Sequence, residues 1–309
     1  MTVPPARRHG HGPPPDRTGV GQAADGAPLP GAGTLGGVPR SLAFHTDLTL
    51  RRNEGSVISQ DAGHTVICSP DNPTFWWGNF LLMPAAPQPG DLLRWEALFS
   101  RAFPQAAHRT FGVDIPHSDS LDFSEWQAAG YEVLRDTVLT AAHTVPSGQS
   151  RATPRDVQIR PVFSAADWEA TARLRMAVNA ADPHPHEAAG YEVFVQRKLA
   201  AYRAVQERGR GAVFAAFDAH GAALSALGLF DVGEGVARYQ SVETHPAYRS
   251  RGLAGTLVHA AAEWAHMMMG TRTLVIVADP DYHAQALYER LGFRPTETQL
   301  SLEKRPPDA

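Results

Sequence analysis

A single cysteine, Cys68, stands in a chain of 309 residues, and that scarcity excludes an intrachain disulfide framework and any metal site built from several cysteines. Cys68 follows the run Thr65-Val66-Ile67, so it reads as a small buried residue and not as a nucleophile. Cationic surplus is also missing. Lys and Arg number 28 against 32 Asp and Glu, a formal charge of −4, which removes nucleic acid from the expected partners. No stretch approaches the roughly 18–20 apolar residues that span a bilayer, so no membrane contact is expected. The 14 histidines are scattered without cysteine or carboxylate at ligand spacing, and no metal is expected. Residues 1–40 are rich in Pro, Gly and Ala and lack an apolar run suited to a secretory signal. With so little apolar surface they are expected to form a disordered tail, and the expected compartment is cytoplasmic.

What is present is apolar content of 43%, enough for a core in each of two ordinary domains. Pro146-Ser-Gly-Gln-Ser150 breaks the pattern between two strand-like runs and marks a linker over 146–156. Residues 41–145 and 157–309 are then the two domains. In the second, Val157–Val162 predicts a strand, and Ala165–Asn179 predicts a helix with Trp168, Ala172, Leu174 and Val178 at near-helical spacing. Asp182-Pro-His-Pro-His186 must be a loop, because its prolines cannot continue a helix. A helix over Tyr191–Arg208 is followed by strands over Ala212–Asp218, Ala222–Asp231 and Val236–Thr244. Leu253–Met269 predicts a long helix, Arg272–Ala278 a strand and His283–Leu291 another helix. The order is β-α-α-β-β-β-α-β-α-β, a mixed α/β domain.

The segment Arg249-Ser-Arg-Gly-Leu-Ala-Gly-Thr256 joins a strand to that long helix. A glycine turn opening a helix presents unpaired N–H groups at the positive end of the helix dipole, which suits a pyrophosphate. Gly252 allows close approach, Ala254 and Gly255 leave space, and Arg249 or Arg251 adds charge-assisted bonds. A glycine-started helix with solvated arginines fits the loop by itself equally well.

The longer run Tyr239-Gln-Ser-Val-Glu-Thr-His-Pro-Ala-Tyr-Arg-Ser-Arg-Gly-Leu-Ala-Gly-Thr256 closely resembles the acetyl-CoA-binding core of the GNAT superfamily of N-acyltransferases. Arg249, Gly252 and Ala254 fill three positions of that pattern, and Thr244 stands where valine is usual. Asp281-Tyr-His-Ala-Gln-Ala-Leu-Tyr-Glu-Arg-Leu-Gly-Phe293 resembles the family's second signature, with Asp281 in place of asparagine. The resemblance covers about Val157 to Lys304. It implies the acyl-CoA N-acyltransferase fold and acetyl-CoA as co-substrate. The positions it implies for cofactor contacts are Val242, Thr244, Arg249, Ser250, Arg251, Gly252, Leu253, Ala254, Gly255, Thr256, Asp281 and Ala284.

Acyl transfer from a thioester to an amine needs a neutral amine, a polarised carbonyl and a protonated leaving thiolate. Glu243 is the candidate base, placed by period-two alternation on the face of Tyr239 and Ser241; a solvated or ion-paired strand glutamate is the other reading. The resemblance implies backbone N–H groups near Val242–Thr244 as carbonyl donors, and Tyr288 as the general acid in preference to a core tyrosine. His245 is expected to shape the strand exit, and His184 and His186 to line the substrate entrance. The expected activity is acetyl transfer to a primary amine of a small molecule, or less readily of a peptide or protein. A non-catalytic acyl-CoA-binding or sensing module stays open as the other class.

Residues 41–145 read as a degraded repeat of part of this pattern, with an unrelated α/β segment and a chance match as the other reading. Trp126-Gln-Ala-Ala-Gly-Tyr131 aligns with Tyr288-Glu-Arg-Leu-Gly-Phe293, and His108-Arg-Thr-Phe111 with Thr271-Arg-Thr-Leu274. The helix expected over Asp91–Phe103 takes the place of the cofactor-loop helix, after a strand over Phe75–Met83. Trp126 replaces the acid, and Pro84-Ala-Ala-Pro-Gln-Pro-Gly90 replaces the amide-presenting turn with residues lacking N–H groups. Two GNAT-like domains in tandem are expected, the first catalytically silent and packed against the second. A monomer or a homodimer fits such a chain.

Overall fold

A computed structural model of the chain describes residues 38–61, 63–117, 121–146 and 156–306. The expected tail lies outside the described residues except for 38–40, as do residues 147–155 of the expected linker. The first half runs α1 (Leu42–Asn53), β1 (Val57–Asp61), β2 (His64–Cys68), β3 (Phe80–Met83), α2 (Asp91–Ala102), β4 (Arg109–Val113), α3 (Ser124–Ala128) and β5 (Glu132–Ala141). The second runs β6 (Gln158–Pro161), α4 (Ala165–Ala180), α5 (Ala188–Glu207), β7 (Gly211–Phe217), β8 (Ala223–Asp231) and β9 (Val236–Thr244). It continues through α6 (Leu253–Met269), β10 (Thr273–Ala278), α7 (Ala284–Arg290) and β11 (Arg294–Lys304), the order read from the sequence.

One sheet of eleven strands joins the halves, in the order β1-β2-β3-β4-β11-β5-β10-β9-β8-β7-β6. With β1–β5 matched to β7–β11, this order reads the same from either end, and only β6 lacks a counterpart. The parallel pair β3/β4 answers the parallel pair β9/β10, and antiparallel β4/β11 answers antiparallel β10/β5. Each half therefore sends its last strand into the other half's sheet. β5 and β11 pair with each other at the centre over Glu132–Thr140 and Arg294–Glu303. The two GNAT-like units are thus a tandem pair that cannot be parted at the linker without breaking three ladders, β4/β11, β11/β5 and β5/β10.

Period-two alternation assigns the faces. Val213, Ala215 and Phe217 of β7 join a core with α4, α5 and α1, while Ala212, Phe214 and Ala216 join one with α6. The α1/α4/α5 core takes residues from both halves, and α2 and α3 cover the remaining aromatic core around Trp95, Phe111 and Trp126. A capping box at Ser164 and Asp167 starts α4, and the bidentate bond from Arg160 to Asp167 at 2.7 and 2.8 Å holds that carboxyl well below the usual range. Glu187 caps α5 by accepting from the Ala189 and Gly190 N–H groups.

The strand expected over Phe75–Met83 is shorter than its hydrophobicity suggests. Trp76–Gly78 forms a 3-10 turn, and only Phe80–Met83 is extended. Asn79 causes the break: its side-chain amide donates to the Asn72 and Phe75 carbonyls and its oxygen accepts from Ser69 N–H, curling the backbone before the strand begins.

Candidate active site

The site opens where two parallel strands part. β9 and β10 pair only at Val236–Arg238 with Thr273–Val275, so residues 239–244 and 276–278 diverge. β9 also carries a bulge. Its register against β8 slips between Ala226 and Gly228, and Ser241 sits at a φ of 50°, a conformation that costs a non-glycine residue free energy. This bulge overturns the simple alternation expected for β9. Tyr239 stays on the α6 side, its hydroxyl donating to the Val258 carbonyl at 2.7 Å, whereas Ser241 and Glu243 turn to α4.

On that face Arg175 of α4 meets them. Its Nη2 donates to Ser241 Oγ at 2.8 Å and to Glu243 Oε1 at 3.4 Å, and its Nε lies 3.3 Å from Glu243 Oε2. Burial would discharge this guanidinium, but the Glu243 carboxylate outweighs it and holds the arginine firmly charged. The ion-paired reading of Glu243 is the arrangement observed. Sequence reasoning passed over Arg175, although a signal existed: it falls on the buried stripe Trp168, Thr171, Arg175, Val178 of α4.

Beyond the bulge, the His245 ring accepts from Ala247 N–H and caps the 3-10 turn Pro246–Tyr248, so it shapes the strand exit. Gly252 then adopts a φ of 76° and opens α6. Among the described residues, the backbone N–H groups of Arg251, Gly252, Leu253, Ala254 and Gly255 have no acceptor within the protein. Of these residues Gly252, Leu253, Ala254 and Gly255 line a cleft of about 980 Å³. Amides without partners at a helix start, with dipole and arginine aligned, make an anion site, and this chain's own residues fit a pyrophosphate there.

The cleft brings together Glu243, Tyr288, Val242, Thr244, Arg249, Ser250, Gly252, Leu253, Ala254, Gly255 and Ala284. Three expected contacts do not line it. Arg251 lies over the Tyr248 ring at 4.9 Å, Thr256 returns its hydroxyl to the Gly252 carbonyl, and Asp281 is held in a turn by its N–H bond to Asp279. Tyr288 is 5% exposed and packs edge-on against Phe293. His184 and His186 line the opposite wall with Tyr191, on which His186 stacks at 5.5 Å. Burial and the nearby Arg305 charge push His186 below its ordinary pKa.

The first half contributes to this wall. Glu132 and Leu134 of β5 line the cleft, as do Glu303 and Arg305 beyond the strand exchange. None of the four carried a sequence signal, because each reaches the cleft only through the crossing of β5 and β11. Among the described residues no group of three or more His, Cys, Asp or Glu is arranged to hold a metal, and no helix is long and apolar enough to cross a membrane.

In its own half, the equivalent loop is closed. β3 and β4 stay paired through Met83 and Val113, and Asp114 N–H donates to the Met83 carbonyl, so the strands do not part. Gly90 opens α2 at a φ of 85°, but Gln88 N–H donates to Asp91 and Gly90 N–H to Glu125. Carboxylates of the chain take the amides that an anion would need.

No curated protein matches this chain. Solved structures do match at the level of fold. A conserved protein of unknown function from Staphylococcus epidermidis aligns over 82% of this chain and 95% of its own, at 13% identity and a TM-score of 0.63. A GCN5-related N-acetyltransferase from Kribbella flavida aligns over 85% and 96%, at 15% identity and a TM-score of 0.55. Another from Sphaerobacter thermophilus aligns over 84% of each chain, at 18% identity and a TM-score of 0.54. The model of the acetyltransferase (GNAT) family matches residues 172–293, which contain the bulge, the Gly252 turn and Tyr288. Residues 172–293 are thus a domain of the GNAT acetyltransferase type.

Proposed function

We propose that the protein is an N-acetyltransferase that moves an acetyl group from acetyl-CoA directly to a primary amine of a small molecule. The observation that carries this reading is the meeting, in one cleft, of a helix start with unclaimed amides and the side chains of Tyr288 and Glu243. Acetyl-CoA, when bound, supplies an acyl group activated as a thioester. The amides of residues 251–255 and the Arg249 guanidinium would hold its pyrophosphate.

In the transfer a bond forms from the amine nitrogen to the carbonyl carbon and the carbon–sulfur bond breaks, while one proton leaves the amine and one reaches the thiolate. Alkyl amines are mostly protonated near neutral pH, so Glu243 takes the amine proton, directly or through water. Its pair with Arg175 fixes the carboxylate beside the bulge. Backbone N–H groups of residues 242–244 polarise the carbonyl, and the Tyr288 hydroxyl gives its proton to the departing sulfur.

The wall added by Glu132, Leu134 and Arg305 supports a small acceptor over a peptide or protein. Every lining residue comes from one chain, which is compatible with a monomer or a homodimer. A reducing, cytoplasmic setting belongs to the proposal on the strength of the single cysteine. No metal has a part in it.

The test is free-thiol release from acetyl-CoA across a broad amine panel, with calorimetric acetyl-CoA binding in parallel. Amine-dependent release is the expected result. Binding with no release for any amine would favour an acyl-CoA sensor, and failure to bind acetyl-CoA would remove the reading altogether.

A further inference from the structure

Arg175 has more donors than the protein satisfies. Its guanidinium carries five N–H groups and is always charged, and its side chain is 4% exposed. Nη2 is used on Ser241 and Glu243, and Nε sits near Glu243 without the alignment of a hydrogen bond. Nη1 has no acceptor. A buried donor left without a partner is costly, and this one belongs to a residue that lines the cleft.

Buried charges stand behind it. Next to Arg175, on the side of α5 and the end of α1, Lys198 and Arg51 share a single carboxylate, Glu54, each at 2.6 Å. With Arg175 and Arg238 on one side and Glu243, Asp47 and Asp136 on the other, the charges of this group are balanced, so the open donor of Arg175 is a matter of hydrogen bonding and not of net charge. Burial, then the neighbouring Arg51 charge, brings Lys198 down to about 7.

We propose that the acceptor amine carries a carboxylate, as an amino acid does, and that Arg175 Nη1 receives that carboxylate at the closed end of the cleft. This deepens the transferase reading and rests on it. A guanidinium suits the role because its planar fork matches a carboxylate, and Ser241 and Glu243 already fix its orientation. The carboxylate would satisfy the orphaned donor. Tyr191 and Val178, on the same wall, leave apolar surface for the carbon chain between the two ends.

The experiment compares amines that differ only in the carboxylate: phenylalanine with phenethylamine, histidine with histamine, alanine with ethylamine. The full-length protein is assayed by thiol release. The acetylated member of each pair is also titrated calorimetrically in the presence of CoA, which reads the same site without turnover. The carboxylate-bearing member of at least one pair is expected to win by roughly 10- to 100-fold in kcat/KM and in product affinity, the range for a hydrogen bond to a charged group. Arg175→Gln should shrink that ratio to about threefold or less, and Arg175→Lys, which keeps the charge but not the fork, should retain part of it. If Arg175→Gln does not fold, the wild-type pairs decide alone. Equal or better performance of the carboxylate-free members overturns the proposal while leaving the transferase reading intact. No difference within any pair, whether both members bind or neither does, overturns it as well. Loss of the underlying reading has its own signature, the failure to bind acetyl-CoA.

Discussion

At Gly90 and at Gly252 the chain makes the same left-handed turn and starts a helix, with φ of 85° and 76°. Counting back from each glycine, Pro84, Pro87 and Pro89 stand where Pro246, Arg249 and Arg251 stand in the second half. The backbone path is kept and the chemistry is not. Prolines remove two N–H groups and two guanidinium groups, Asp91 and Glu125 occupy amides of the turn, and β3 lacks both the bulge and the parting that β9 shows. A fold needs the glycine, because only a residue free to adopt positive φ makes the turn cheaply. A site needs in addition that the amides stay vacant and that a strand give way.

The same contrast holds at the end of each half. Trp126 packs edge-on to Tyr131 as Tyr288 packs edge-on to Phe293, but Trp126 is enclosed by Trp95 and Phe111 whereas Tyr288 lines the cleft. The largest expected effect comes from this pair. Tyr288→Phe should lower kcat by roughly 10²- to 10³-fold, within the range of a lost general acid, with acetyl-CoA affinity changed little. Trp126→Phe should leave kcat within about twofold and lower only thermal stability, through the space left in an aromatic core. Equal kcat losses in the two variants would break the contrast between a working half and a silent one.

A smaller effect should follow from copying one proline across. Arg249 has φ −62° and ψ 158°, a backbone that proline adopts, and its N–H makes only a long bond of 3.4 Å to the Pro246 carbonyl. Arg249→Pro should therefore fold, yet weaken acetyl-CoA by about 10- to 100-fold, the size of a charge-assisted bond to phosphate, as read by calorimetry. An unchanged Kd would show that the vacant amides of residues 251–255 suffice and that Arg249 is solvated.

Much of this was legible in the sequence, and the rest was hidden for definite reasons. In the second half, helix and strand periods differ enough that Leu253–Met269 and Val236–Thr244 are read at the bounds observed. Glycine-marked turns and the spacing from Arg249 to Tyr288 locate the cleft. The bulge at Ser241 was not legible, since nothing in Gln240-Ser-Val-Glu243 announces an αR or αL residue within a strand. Without it, alternation puts Glu243 beside Tyr239 on the wrong face. The exchange of β5 and β11 was also hidden, because pairing between strands so distant in sequence leaves no local pattern. The wall residues Glu132, Leu134 and Arg305 were lost with it.

The comparison sharpens once more in acid. His108, in the first half, is 2% exposed, stacks on Trp76 at 5.6 Å and donates from Nε2 to the Asn79 carbonyl at 3.0 Å. Burial, aided by the Arg109 charge, brings it down to about 4 from its ordinary 6.5. Between those two values the unfolded chain binds a proton that the folded chain refuses, so stability falls as pH drops from 6.5 toward 4. From pH 7.5 to 5.5 that linkage removes about 1 kcal/mol, the difference between a histidine protonated mostly when unfolded and one kept neutral when folded. His108→Gln can still donate an N–H to Asn79 but takes up no proton. Denaturant titrations of wild type and variant at the two pH values should show the wild type losing about 1 kcal/mol more than the variant. Because β11 lies between β4 and β5, and β5 pairs with β10, the loss should appear as one transition for both halves. Two separated transitions, with only the first moving with pH, would mean that the silent half unfolds on its own despite the exchanged strands.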